Sequence, residues 1–164
     1  MLDLLQINPN HLVLNENIAL SDIAKAQLRE ACERLVSHEP IQYICGIAHF
    51  FGRVFKVTND VLIPRPETEE LVHWIIETGI TKPTILDVGT GSGCIAITLA
   101  LEVNGSAVDA IEVSQPAIII ALENAGNNKA TVNMLHKDLL KMNVLPGVYD
   151  IIVSNPPYIP ESEM

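Results

Sequence analysis

Four short stretches of this chain carry side chains able to act on one ligand: "DVGTGSG" from Asp87 to Gly93, Glu112, the pair Asp138-Leu139, and "SNPPY" from Ser154 to Tyr158. In the first, Gly89, Gly91 and Gly93, with Thr90 and Ser92 between them, allow a tight turn and close approach of backbone to a ligand. The Gly-x-Gly-x-Gly spacing is one residue short of the dinucleotide fingerprint, which weakens a pyrophosphate reading. An adenosine-type cofactor and a merely tight strand-to-helix turn both remain. Glu112, 19 residues past Gly93, stands where a carboxylate accepts from both hydroxyls of a ribose. Asp109 competes for that role, but strand alternation favours Glu112 as the tip residue. Asp138 is placed to accept from the exocyclic amine of an adenine with Leu139 packed on the ring, or else to cap a helix. In the last stretch two prolines remove N–H donors, lock φ and hold the preceding residues extended, leaving carbonyls free to accept. With the Asn155 amide and the Tyr158 ring they make a rigid corner suited to a planar group bearing N–H donors. The plainer reading is a strand-to-loop turn.

The elements that must position these residues follow from periodicity. Ser21 to Val36 has apolar positions at Leu28, Ala31, Cys32 and Leu35 and a capping Ser21, which predicts an amphipathic helix. Ile47 to Phe51 and Val54 to Val57 flank Gly52-Arg53 as a hairpin. A helix is expected from Pro66, with acidic residues in its first turn and Gly79 as its stop. Strand and helix then alternate: strands at 84–88, 107–113, 131–136 and 149–154, helices at 94–103 and 116–126, the latter ending at Gly126. That order implies a parallel sheet covered on both faces, with ligands bound outside the carboxyl ends of its strands. Residues 1–60 read as an accessory region, helical segment plus hairpin, and 61–164 as an α/β domain.

With 48% hydrophobic and 18% charged residues among 164, the chain is expected to fold. A net charge of −10 without a Lys/Arg run argues against sequence-independent binding to a phosphate backbone. Cys32, Cys45 and Cys94 show no Cys-x-x-Cys spacing and read as small buried residues of a reducing compartment; no metal site is expected. Neither a signal peptide nor a membrane-spanning apolar run is legible, so the expectation is a cytoplasmic protein.

"LDVGTGSG", Glu112, Asp138 and "SNPPY" together resemble the class I S-adenosylmethionine-dependent methyltransferases. "EPIQYICGIAHFFGRVFKVTNDVLIPRPETEELV", Glu39 to Val72, is similar to the segment joining the two domains of the protein-(glutamine-N(5)) methyltransferases of peptide chain release factors, the PrmC/HemK family. The resemblance implies a Rossmann-like α/β fold with strand order 3-2-1-4-5-7-6. It implies S-adenosyl-L-methionine as cofactor, held by Asp87, Gly89, Thr90, Gly91, Ser92, Gly93, Glu112, Asp138, Leu139 and Asn155. It implies release factors as protein substrates, their glutamine gripped by Asn155, Pro156, Pro157 and Tyr158, of which Asn155, Pro156 and Tyr158 serve the transfer itself. Pro64, Arg65 and Glu67 would shape the cofactor mouth, with an ion-pair role equally open for Arg65; His49 and His136 read as surface or packed histidines, and no general base is needed. Against the family's seven strands this chain supplies four, so it reads as a fragment whose open sheet edge invites self-association. The rival readings are an adenine-amino DNA methyltransferase and a non-catalytic module binding an adenosine ligand or a protein.

Overall fold

The computed structural model describes residues 19–156 of the 164. Two compact units divide the chain, residues 1–47 and 48–164. In the first, helix α1 (Asp22–Val36) begins where the Ser21 hydroxyl accepts from the Ala24 N–H at 3.1 Å. A short helix α2 (Ile41–Cys45), stopped by Gly46 at φ 72°, follows within a stretch whose β-rich composition gave no sign of it. Arg34 grips Glu39 through two hydrogen bonds of 2.6 and 2.7 Å, and this holds the Glu39 carboxyl below its usual range.

The second unit opens with the hairpin, strands β1 (Ile47–Phe50) and β2 (Arg53–Lys56). Phe51 and Gly52 both take positive φ, 50° and 71°, as a two-residue type I′ turn requires. The expected boundary near residue 60 grouped this hairpin with the amino-terminal region; it packs instead with the second unit. Phe50 and Phe55, edge to face at 6.1 Å, are buried in that unit's core, each contributing about 1.5–3 kcal/mol by burial. Helix α3 (Pro66–Glu77) starts with Pro66 in its first turn and is followed by Gly79 at φ 66°.

Strands β3 (Thr84–Val88), β4 (Ala107–Glu112), β5 (Asn133–His136) and β6 (Ile151–Ser154) form one parallel sheet in the order β5-β4-β3-β6. In chain order that is 3-2-1-4, with β3 central. Helix α4 (Cys94–Glu102) is buried from Cys94 through Leu99, and α5 (Gln115–Asn128) runs two residues beyond the stop expected at Gly126. The reason lies outside the helix. Asn128 donates to Val54 O at 3.1 Å, so the last turn is held by the hairpin, and Lys129 in the left-handed region closes it.

Expected coverage of both sheet faces by helices is not what the described residues show. Helix α4 touches both α3 and α5, so the three form a single layer. Alternation and register put Ile85, Val108, Ala110 and Val153 on the face beneath it, all in the main apolar cluster. Leu86, Asp109, Asn133 and Ile152 share the opposite face, where Ile152 is 58% exposed. Cys94 is buried as expected, but Cys45 is only partly so and Cys32 is exposed. No described helix is long and apolar enough to cross a membrane.

Candidate functional site

The strands end level with one another. Val88 is the register partner of Ser154 on one side and of Ile111 on the other, and Glu112 pairs with His136, so the four ligand-type stretches start from one rim of the sheet. The glycine loop is pinned to that rim: the N–H groups of Gly89 and Thr90 donate to Ile111 O at 2.8 and 3.2 Å, and Gly93 N–H closes the turn on Thr90 O at 2.8 Å. Gly89 and Gly91 have φ of 71° and 55°, and a Cβ at either would meet no atom within 4 Å, so the loop presents bare backbone to open space. Gly93 serves packing instead, since a Cβ there would lie 2.9 Å from Ile97 Cδ1.

Asp87 lies beneath the loop, 1% exposed. Its Oδ2 accepts from the Thr90 hydroxyl at 2.7 Å, while Oδ1 is buried without a hydrogen bond of good geometry. Burial pushes its pKa up to about 6, against the pull of the Thr90 hydroxyl and the Ala96 N–H, with Glu112 nearby adding to the rise.

The Glu112 carboxylate is nearly buried and bound by three backbone donors. Oε2 accepts from Gly91 N–H at 3.0 Å, and Oε1 from Val113 and Ser114 N–H at 2.9 and 3.0 Å. It thereby joins the glycine loop to the tip of β4. Asp109, the sequence competitor, sits earlier on β4 and is occupied: Tyr149 donates its hydroxyl to Oδ2 at 2.6 Å, and Asn133 Nδ2 donates to Oδ1 at 3.0 Å. Burial, then the contact with Asp109, raises the Tyr149 phenol to about 12.

Asp138 caps a single 3-10 turn, Leu139–Lys141, accepting from Leu140 N–H at 3.0 Å and pairing with Lys141 at 3.0 Å, and that pair holds its pKa below the ordinary value. Capping, one of its two sequence readings, is what its side chain does here. Leu139 beside it is half-buried. His136 Nε2 lies 2.9 Å from Val113 O, His49 is exposed, and Arg65 and Glu67 are exposed with no ion pair among the described residues.

At the end of β6 the Ser154 hydroxyl donates to Val88 O at 2.8 Å, and Asn155 Nδ2 donates to the hydroxyl of Thr68 at 3.0 Å. Asn155 Oδ1 has no partner among the described residues. A cleft of about 740 Å³ opens here, lined by Leu62, Arg65, Thr68, Trp74, Ser154 and Asn155 among others. Pro156 is exposed; Pro157 and Tyr158 lie outside the described residues.

Two residues escaped the sequence reading. Thr68 stands inside "RPETE", where Arg65 and Glu67 carry the charge and a neutral hydroxyl gives no signal. Asn124 is wholly buried on α5, accepting from Lys56 N–H at 2.7 Å and donating to Lys56 O at 3.0 Å and Ser92 O at 2.9 Å. It fastens the hairpin to the glycine loop. Its signal was a lone amide on a helix face otherwise made of Ala117, Ile120, Ala121 and Ala125.

Comparison with known proteins agrees with this layout. Residues 67–164 match the methyltransferase small domain family, and residues 1–46 match the PrmC N-terminal domain. The chain is 43% identical over 159 residues to a release factor glutamine methyltransferase of Flavobacterium psychrophilum, covering 94% of this chain and 56% of that protein. The namesake protein of Bacteroides thetaiotaomicron is 43% identical over 162 residues, covering 98% and 58%. This chain thus spans little more than half the length of those relatives. Among solved structures, the 16S rRNA N2 G1207 methyltransferase of T. Thermophilus, in complex with AdoMet and guanosine, superposes with a TM-score of 0.59 at 24% identity, over 69% of this chain and 32% of that one. The tRNA (uracil-54, C5)-methyltransferase of Pyrococcus abyssi gives 0.56 at 19%, over 68% and 27%. Both likenesses are of fold.

Proposed function

We propose, from the premise that this chain belongs to the methyltransferase small domain family, that the protein methylates the side-chain amide nitrogen of a glutamine, the one in the Gly-Gly-Gln loop of peptide chain release factors. It would act in the cytoplasm, on a protein and not on nucleic acid. The observation that carries this reading is the Asn155 corner: an amide tethered through its nitrogen, with its oxygen unpartnered among the described residues, beside the glycine loop and on a cleft. Identity of 43% to two release factor glutamine methyltransferases supports the choice of substrate.

The residues present fit S-adenosyl-L-methionine. Asp87 keeps a buried carboxylate oxygen unpaired, which suits an ammonium group, and Gly89 and Gly91 leave the space a ligand needs. Asp87, the loop from Gly89 to Gly93, Glu112, Asp138 and Leu139 would hold it, and when bound it supplies an electrophilic methyl group. The protein's part in the reaction is to make a weak nucleophile usable. An amide lone pair is delocalised into its carbonyl, so Asn155 Oδ1 and the Pro156 carbonyl accept the two N–H groups of the substrate and fix the nitrogen's direction. Orientation of this kind contributes on the order of 7–11 kcal/mol in favourable cases. The same two oxygens stabilise the positive charge that grows on nitrogen during transfer, the electrostatic logic of an oxyanion hole with the sign reversed, and one N–H proton then leaves to solvent so that the product is a neutral N-methyl amide. Pro157 and Tyr158 would complete the grip, the ring packing on the amide plane.

Incubating the full-length protein with the cofactor and a release factor should add one methyl to the Gly-Gly-Gln peptide, read by mass spectrometry. Methylated adenine in duplex DNA with an unmodified release factor would replace this reading. Asn155→Ala should slow transfer by at least ~100-fold with little change in cofactor affinity, since the lost acceptor matters most as charge builds. Parallel loss of cofactor binding in calorimetry would reassign Asn155 to the cofactor.

A further inference from the structure

We infer that Thr68 is a positioning residue that holds the Asn155 amide in place at the reaction corner; the inference rests on the function proposed above. Asn155 follows the last residue of β6 and precedes Pro156, which has no N–H to donate. Among the described residues its one side-chain hydrogen bond is to Thr68, 87 residues earlier in the chain. Thr68 lies in the first turn of α3, its N–H donating to Arg65 O at 3.0 Å, and it is 7% exposed. A β-branched side chain in a helix has few rotamers open to it, and a buried hydroxyl needs a partner. Both constraints keep Thr68 Oγ1 in place.

The chemistry of the amide gives that contact its use. An asparagine amide has a donor end and an acceptor end, and a substrate amide nitrogen brings two N–H donors. With Nδ2 held by Thr68, the end left over is Oδ1, the acceptor the substrate needs. An amide turned the other way would set donors against donors. The start of α3 is therefore part of the reaction corner, and Thr68 acts there through Asn155.

The test compares Thr68→Val, Thr68→Ala and Thr68→Ser in the full-length protein. Val and Ala should lower kcat by about 10- to 100-fold, the scale of a small misplacement at a reacting group, with the dissociation constant for S-adenosylmethionine unchanged; Ser should restore kcat. In an Asn155→Ala background Thr68→Val should bring no further loss. The side-chain 15N–1H2 signals of Asn155, assigned by their disappearance in Asn155→Ala, should shift and exchange faster with solvent in Val and Ala but not in Ser. Unmoved Asn155 signals, or kcat losses that multiply in the double variant, would overturn the inference. If the parent transfers no methyl to glutamine, the proposed function fails on its own account, and the NMR comparison still decides whether Thr68 holds Asn155.

Discussion

Glu112 gives its carboxylate to three backbone N–H groups. A carboxylate offers about four lone-pair positions, so accepting both hydroxyls of a ribose requires one of these three N–H groups to let go. Glu112→Ala should weaken S-adenosylmethionine by about 1.5–3 kcal/mol, the range for hydrogen bonds to a charged group, with kcat largely recovered at saturating cofactor. An unchanged dissociation constant in calorimetry would remove the ribose contact. Asp87 makes a prediction of opposite sense, about stability. Its folded pKa of about 6 exceeds the ordinary 3.8, so between about pH 4 and 6 the folded state holds a proton that the unfolded chain has released. Its contribution to stability therefore falls as pH rises through that window, by up to about 3 kcal/mol. In ligand-free protein, urea unfolding of Asp87→Asn relative to the parent should move in the variant's favour between pH 4 and pH 7. A pH-independent difference would contradict a carboxyl whose pKa is raised by burial.

Helices and strands earn their positions through residues that periodicity does not display. Asn124 fills three hydrogen bonds between α5, β2 and the glycine loop, and its truncation leaves buried backbone groups unsatisfied. Asn124→Ala should destabilise the protein by at least about 2 kcal/mol and expose the Lys56 amide to hydrogen exchange; protection retained at Lys56 would show the hairpin held by its phenylalanines alone. Strands β3 to β6 were legible because each is a short run with apolar residues between turn residues. The tie of Asp109 to Tyr149 was not legible, being a contact across 40 residues. Nor was the end of α5: Gly126 looks like a stop, yet Asn128 finds Val54 O on the hairpin and the helix continues. Helix α2 hid among β-branched and aromatic residues because a five-residue helix has too few turns to show a period. The hairpin's place in the second unit was hidden for a like reason, since Phe50 and Phe55 look alike whichever core they fill.

At the scale of the molecule, β6 pairs with β3 on one side and with no strand on the other among the described residues. The N–H and C=O groups on that other side meet no strand among the described residues, and Ile152 beside them is 58% exposed. The same topology has a temporal side. The central strand β3 is synthesised first of the four, β4 and β5 extend the sheet to one side, and β6 then adds to the other. On a ribosome moving at about 5–20 residues per second, the strands bearing the glycine loop, Glu112 and Asp138 emerge before Asn155 does, by about one to a few seconds. The nascent chain thus completes its candidate nucleoside half while its amide-gripping half is still being made.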